Sequence, residues 1–216
     1  MKSLPEKQTV MEALMRLAPV IPVVVIENLA HAVPLARALV AGGTPVIEVT
    51  LRTPAALDAI RAIAAEVQGA HVGAGTVLNA RDLHAVAAAG ACFAVSPGST
   101  PMLLDAADST ELPLLPGAAS ASESMALRER GYRLQKCFPA AAIGGVALLR
   151  SLGGPLPAIG YCPTGGITLQ NAAQYLALSN VLCVGGSWLT PSALQQAGDW
   201  LAIEALAHAA ADLAAA

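Results

Sequence analysis

Lysine is scarce in this chain: Lys2 and Lys7 lie in the N-terminal tail, and Lys136 is the only other one. Lys136 stands inside a β-type run, Leu134-Gln135-Lys136-Cys137-Phe138-Pro139, where alternation puts Leu134, Lys136 and Phe138 on one face. With Cys137 toward the opposite, packed side, Lys136 points into the interior. Loss of hydration there favours the neutral amine, and a neutral amine attacks a ketone carbon to form an imine. The bland alternative is an interior lysine held in a salt bridge, a costly use of a charge that does no chemistry. Glu48 is the natural partner, as the one charge in Pro45-Val46-Ile47-Glu48-Val49-Thr50. Val46, Glu48 and Thr50 share a face, and a positioned carboxylate moves the protons that imine chemistry requires. Serving simply as the ion-pair partner of Lys136 is its other reading, and both can hold in the resting protein.

Further polar groups stand at the ends of such runs. Arg52, in Thr50-Leu51-Arg52-Thr53-Pro54, could pair with a substrate carboxylate or be an ordinary loop arginine. Thr76 closes Val72-Gly73-Ala74-Gly75-Thr76, whose glycines allow close backbone approach. Pro97-Gly98 and Pro116-Gly117 end two more runs, although Pro-Gly also simply makes turns. The last two runs end Cys162-Pro163-Thr164-Gly165-Gly166-Ile167 and Val184-Gly185-Gly186-Ser187-Trp188. Paired glycines expose backbone N–H groups, and Thr164 and Ser187 add hydroxyls, a combination suited to a phosphate. No Lys, Arg, Asp or Glu occurs between Ser151 and Ala197, so such an anion would be held by amides, hydroxyls and helix dipoles. Tight turns without a ligand are the competing explanation.

The elements that would position these groups repeat. β-rich runs at Val20–Ile26, Pro45–Thr50, His71–Thr76, Cys92–Ser96, Leu112–Leu115, Arg133–Phe138, Ala158–Cys162 and Val181–Val184 recur every twenty-odd residues. Ala/Leu-rich segments of helical period separate them. Ala41-Gly42-Gly43, Ala89-Gly90-Ala91, Arg130-Gly131-Tyr132 and Leu178-Ser179-Asn180 all mark helix stops before even-numbered strands. Eight βα units imply a parallel sheet and an α/β fold, a compact (β/α)8 TIM barrel. An extra N-terminal helix over 6–17 precedes it and an Ala-rich helix over 200–215 closes it, in a single domain spanning 1–216. A doubly wound open sheet would want a Gly-rich turn after the first strand, where Ile26-Glu27-Asn28 stands instead. A barrel places its site at the C-terminal strand ends, where the groups above lie.

Composition removes other classes. Apolar residues make up 55% and charged residues 12% of the chain, about half the usual charge fraction, which argues for a buried core and against disorder. Net charge is −3 without a basic cluster, so no nucleic-acid partner is expected. No run is long enough to span a membrane, and the N-terminus lacks a secretory h-region, so a reducing cytoplasm is the expected location. Cys92, Cys137, Cys162 and Cys183 are far apart in apolar runs and read as core. His31, His71, His84 and His208 show no metal-ligand spacing, so neither a metal nor a cofactor is expected.

Glu48-Val49-Thr50-Leu51-Arg52, Gly73-Ala74-Gly75-Thr76-Val77-Leu78, Ser96-Pro97-Gly98, Lys136-Cys137-Phe138-Pro139-Ala140 and Cys162-Pro163-Thr164-Gly165-Gly166-Ile167 together resemble the 2-dehydro-3-deoxy-6-phosphogluconate (KDPG) aldolases, which also cleave 4-hydroxy-2-oxoglutarate (KHG). The resemblance runs in order from about residue 10 to residue 205. It implies that Lys136 is the Schiff-base lysine and Glu48 the general acid/base. Arg52, Thr76 and Thr164 would hold the pyruvate carboxylate end, with Pro97 and Phe138 lining the pocket. Gly165, Gly166, Gly185, Gly186 and Ser187 would cradle the phosphate of a phosphorylated 2-keto acid. It further implies a homotrimer and a place in the Entner–Doudoroff pathway. The chain departs from the family at Pro139-Ala140-Ala141, where Pro-Ala-Glu is usual, and at Pro116-Gly117-Ala118-Ala119-Ser120, where Ile-Ser/Thr is more usual. Rival readings are a phosphosugar isomerase or epimerase, a catalytically silent binding protein, and the 6-phosphogalactonate aldolase, which differs in the configuration at C4.

Overall fold

A computed structural model describes residues 2–215. The first helix, α1 (Leu4–Met15), starts two residues ahead of the expected span because Pro5 is tolerated in a first turn. Ser3 and Glu6 form a capping box there, with the Ser3 N–H donating to Glu6 Oε2 at 2.7 Å. Strand and helix then alternate: β1 (Val20–Val24), α2 (Ala32–Ala41), β2 (Val46–Thr50), α3 (Ala56–Glu66), β3 (His71–Gly75), α4 (Ala80–Ala88), β4 (Ala94–Val95) and α5 (Pro101–Asp108). The second half adds β5 (Leu114–Leu115), β6 (Gly117–Ala118), α6 (Ala121–Glu129), β7 (Leu134–Cys137), α7 (Gly145–Gly153), β8 (Gly160–Pro163), α8 (Leu169–Leu176), β9 (Val184–Gly186), α9 (Ser192–Ala197) and α10 (Trp200–Ala211).

Three of the four marked helix stops use a left-handed glycine: Gly43 (φ 84°), Gly90 (φ 92°) and Gly131 (φ 98°). The fourth works differently. Asn180 turns its side-chain amide inward and donates to the Leu149 carbonyl at 2.9 Å.

All strands are parallel and the sheet is curled. Six of them run in the order β5-β4-β3-β2-β1-β9 and three in the order β6-β7-β8. The expected fifth strand, Leu112–Leu115, is observed as β5, and an unexpected short strand, β6, resumes after Pro116, whose missing N–H interrupts the ladder. The Pro116 carbonyl is still used, accepting from the Lys136 N–H at 2.9 Å. Isolated parallel bridges, Tyr161 to Val181 and Thr164 to Gly185, join β8 to the segment that becomes β9.

Alternation sorts the apolar residues into two cores. Ile47, Val49, Val72, Ala74 and Cys137 pack outward against the helices, together with Leu35, Ile60 and Leu149. Ile21, Val46, Phe93, Val95, Leu115, Leu134, Cys162 and Cys183 form an inner cluster with Met11, Leu14 and Met15 of α1. Each Val, Leu, Ile, Phe or Met among them, fully buried, contributes roughly 1.5–3 kcal/mol. The N-terminal helix thus packs its apolar stripe onto the inner core near the strand starts. Gln8 fastens it there, its Oε1 accepting from the N–H groups of Arg133 and Leu134, each at 3.0 Å. Lys7 is not a tail residue as expected: it is buried, and its Nζ donates to the carbonyls of Ala107 (2.9 Å) and Asp108 (3.2 Å) at the end of α5. Among the described residues no helix is long and apolar enough to cross a membrane.

Candidate active site

Leu134 belongs to the inner cluster and Cys137 to the outer one, so alternation turns Lys136 inward, as the sequence pattern predicts. Val46 inside and Ile47 and Val49 outside do the same for Glu48. The two meet across the interior with Lys136 Nζ 3.0 Å from Glu48 Oε1 and 3.5 Å from Oε2. Lys136 is only 5% exposed and Glu48 4%. The Phe138 ring lies 5.4 Å from Lys136 Nζ, within range of a cation–π contact. In this setting the ammonium and carboxylate can exchange a proton to leave a nucleophilic amine beside a carboxylic acid.

The rim groups fall around that pair. Arg52 is exposed just beyond β2, and its Nε donates to Thr76 Oγ1 at 3.3 Å. Thr76 is the single non-glycine residue among those described with a left-handed backbone (φ 60°), a conformation costing roughly 1–3 kcal/mol. Such strain at a residue touching Arg52 is what a constrained binding group shows. Thr164 follows β8 and is buried. Its Oγ1 occupies the place that a Cβ on Gly185 would take, so the missing side chain of Gly185 is the room for Thr164.

The two glycine pairs differ. Gly165 (φ 99°) and Gly166 (φ 75°) form a left-handed turn against the Phe138 ring and Ala141. Gly185 and Gly186 are strand residues, paired in register with Ile21 and Pro22, so the second expected turn is the end of β9. Gly186 leaves space for the Trp188 ring instead. Ser187 is exposed immediately afterwards. Pro97 is half-buried, and its carbonyl lies where a Cβ on Gly117 would stand.

Ser187 borders a cavity of about 480 Å³ that Val23, Glu27, Asn28, His31 and Gln195 also line. Val23 pairs in register with Glu48, which places this cavity on the β1 side of the charged pair. Sequence reasoning missed Glu27, Asn28 and His31. The rule that found Arg52, polar residues just past a strand's C-terminal end, applies equally to Glu27 and Asn28 after β1. A larger cavity of about 740 Å³ lies at the other end of the strands, beside Pro19 and Val181, away from Lys136.

The cysteines are placed as packing groups, whereas His71, His84 and His208 are exposed away from the charged pair. Cys137, Cys162 and Cys183 are buried, and burial pushes the Cys137 thiol up to about 11. A hydrogen bond with Cys162, together with burial, pushes the Cys183 thiol up as well. Cys92, half-buried, is pushed up to about 11 by desolvation. His71 opens β3 at the far end, His84 lies on α4 and His208 on α10. Among the described residues no group of three or more His, Cys, Asp and Glu side chains gathers as a metal site.

Comparison with known proteins agrees with this geometry. The family described as KDPG and KHG aldolase matches residues 11–206. The 2-dehydro-3-deoxy-phosphogluconate aldolase of Pseudoalteromonas atlantica is 56% identical over 192 residues, covering 89% of each chain. Among solved structures, the KDPG aldolase of Legionella pneumophila, with pyruvate captured at low pH as a covalent carbinolamine, superimposes with a TM-score of 0.91 at 47% identity, over 93% of this chain and 97% of that one. The Zymomonas mobilis ZM4 enzyme with 3-phosphoglycerate superimposes with a TM-score of 0.89 at 49% identity, over 94% and 95% of the two chains. The likeness spans nearly the whole of each protein, and the inward lysine with its carboxylate partner is the chemistry an aldolase of this kind requires: this chain belongs to the KDPG and KHG aldolase family.

Proposed function

We propose that this protein is a class I aldolase that cleaves 2-dehydro-3-deoxy-6-phosphogluconate to pyruvate and glyceraldehyde 3-phosphate, and 4-hydroxy-2-oxoglutarate to pyruvate and glyoxylate. The observation that carries the reading is the buried Lys136–Glu48 pair, 3.0 Å apart near the C-terminal strand ends. Lys136 passes a proton to Glu48 and adds its freed lone pair to C2 of the keto acid. The carbonyl electrons move to oxygen, which takes the proton back from Glu48, and loss of water leaves the protonated imine. Glu48, again a carboxylate, removes the C4 hydroxyl proton. The C3–C4 electron pair flows into the imine to give an enamine, and C4 leaves as the aldehyde. Protonation at C3 and hydrolysis then release pyruvate and restore Lys136. Because the imine is the electron sink, this route needs no metal. The covalent pyruvate carbinolamine of the Legionella enzyme supports the first step.

Arg52 and Thr76, joined by their hydrogen bond, hold the substrate carboxylate together with Thr164. Pro97 and the Phe138 ring bound the pyruvate end. Gly165 and Gly166 offer N–H groups to the phosphate, with Gly185, Gly186 and Ser187 completing its surround. In our reading the two sheets are one closed (β/α)8 barrel in a single domain. The Pro116 split and the Thr164–Gly185 bridge support closure, since both seams are spanned by hydrogen bonds or bridges. A homotrimer is the expected assembly. The exposed Leu78, Met102 and Met125, on three successive βα units, are apolar surface suited to subunit contact.

The deciding experiment is borohydride reduction in the presence of pyruvate, followed by peptide mass mapping. A pyruvyl adduct on Lys136 is expected, and its absence sinks the mechanism. Turnover of the gluconate substrate well above its galactonate epimer is the matching expectation for specificity.

A further inference from the structure

β3 is a short strand with two glycines, Gly73 and Gly75, on one face, although glycine weakens a strand interior and is disfavoured there. Neither has a left-handed φ, so backbone freedom does not account for them. Space does. Val72 and Ala74 pack outward with the helices, which leaves both glycines facing the interior. A Cβ on Gly73 would enter the Phe93 ring. A Cβ on Gly75 would stand 2.7 Å from Glu48 Cγ and 2.8 Å from Cδ, and nearer still to Oε1.

The register says what this space is for. Glu48 is paired with Gly73, and Gly75 with Thr50, one inward step closer to the strand ends. The Glu48 side chain therefore leans from its own level over Gly75, toward the mouth, and there its carboxylate meets Lys136. Any side chain at 75 would occupy the volume through which Glu48 leans.

We propose that Gly75 is a positioning residue for the reaction: its missing side chain is the socket that holds the Glu48 carboxylate forward against Lys136. The proposal rests on the reading of Glu48 as the proton shuttle. Gly75→Ala then pushes the carboxylate back by about an ångström, a misplacement that costs on the order of 100-fold in kcat. Binding at the Arg52 end is untouched, so KM stays within about threefold. Gly73→Ala is the control. It crowds Phe93, lowers thermal stability, and leaves kcat and KM of the folded protein unchanged.

A thermal cycle tests the packing even where Gly75→Ala folds poorly. With Glu48 present, Gly75→Ala lowers Tm by roughly 5 °C through overpacking. In a Glu48→Ala background the same change fills vacated space and leaves Tm unchanged or higher. Folding only in the Glu48→Ala background supports the socket. Equal losses of Tm in the two backgrounds, failure to fold in both, or a folded Gly75→Ala enzyme with wild-type kcat each overturns it. A wild-type enzyme that traps no pyruvate on Lys136 would refute the aldolase reading alone, while the thermal cycle still reports on the socket, so the two failures are distinguishable.

Discussion

Glu48→Gln preserves the volume of the side chain and removes the charge that faces Lys136 at 3.0 Å. At an effective dielectric near 20, unit charges that far apart attract by about 5 kcal/mol, much of it offset by the cost of removing both from water. Breaking such a pair from one side costs about 3–5 kcal/mol, because the remaining charge stays buried. The Gln carbonyl retains one hydrogen bond from the ammonium, worth about 1.5–3 kcal/mol, so the net loss falls near 2 kcal/mol. For a domain of this length that lowers Tm by roughly 4–8 °C. Turnover falls further: with no group to shuttle protons, kcat drops about 10²–10⁴-fold. The double variant Lys136→Met with Glu48→Gln carries no buried charge and melts above Glu48→Gln alone. Pyruvate release coupled to lactate dehydrogenase and thermal melts of all four proteins check this together. A Glu48→Gln enzyme within tenfold of wild-type kcat, or single-variant stability losses that simply add, would refute the reasoning.

Thr76→Gly removes the left-handed strain at φ 60° and so melts no lower than wild type, yet it raises KM several-fold because Arg52 loses its partner; a lower Tm with unchanged KM contradicts this account. Gln8→Ala leaves the N–H groups of Arg133 and Leu134 unpaired beneath α1 and costs about 1–3 kcal/mol by urea unfolding, with kcat of the folded enzyme retained. At pH 8 the Cys137 thiol, held up to about 11 by burial, is thiolate in only about one molecule in a thousand. Iodoacetamide should therefore label Cys137 only on the timescale of unfolding. Rapid labelling of the native protein, read by peptide mass, would show that the strand is more open than its burial implies.

Much of the site was legible because strand alternation is a local property. Which of Lys136, Cys137, Val46 and Glu48 face inward follows from a period of two, and the apolar neighbours mark the sides without knowledge of any partner. The turn glycines Gly43, Gly90 and Gly131 were legible for a similar reason, since a left-handed helix stop is enforced within a few residues. Arg52, Thr76 and Thr164 could be placed at strand ends by counting. Glu27 and Asn28 stand just past β1 in the same way, but one exposed polar residue after a strand is no different locally from an ordinary turn residue.

Other features depend on atoms distant in sequence. Lys136 and Glu48 are 88 residues apart, and only curling of the sheet brings the two inward faces within hydrogen-bond reach. The Pro116 split, the strand character of Gly185 and Gly186, and the burial of Lys7 against the end of α5 are likewise decided by neighbouring elements. A Gly-Gly pair has the same local preference whether it turns or extends; here pairing with Ile21 and Pro22 selects extension. A period of two is enough to turn the scarce Lys136 inward and to give Glu48 the same interior. Their contact needs strands distant in sequence to meet, and it is made over Gly75, where packing leaves room for the carboxylate.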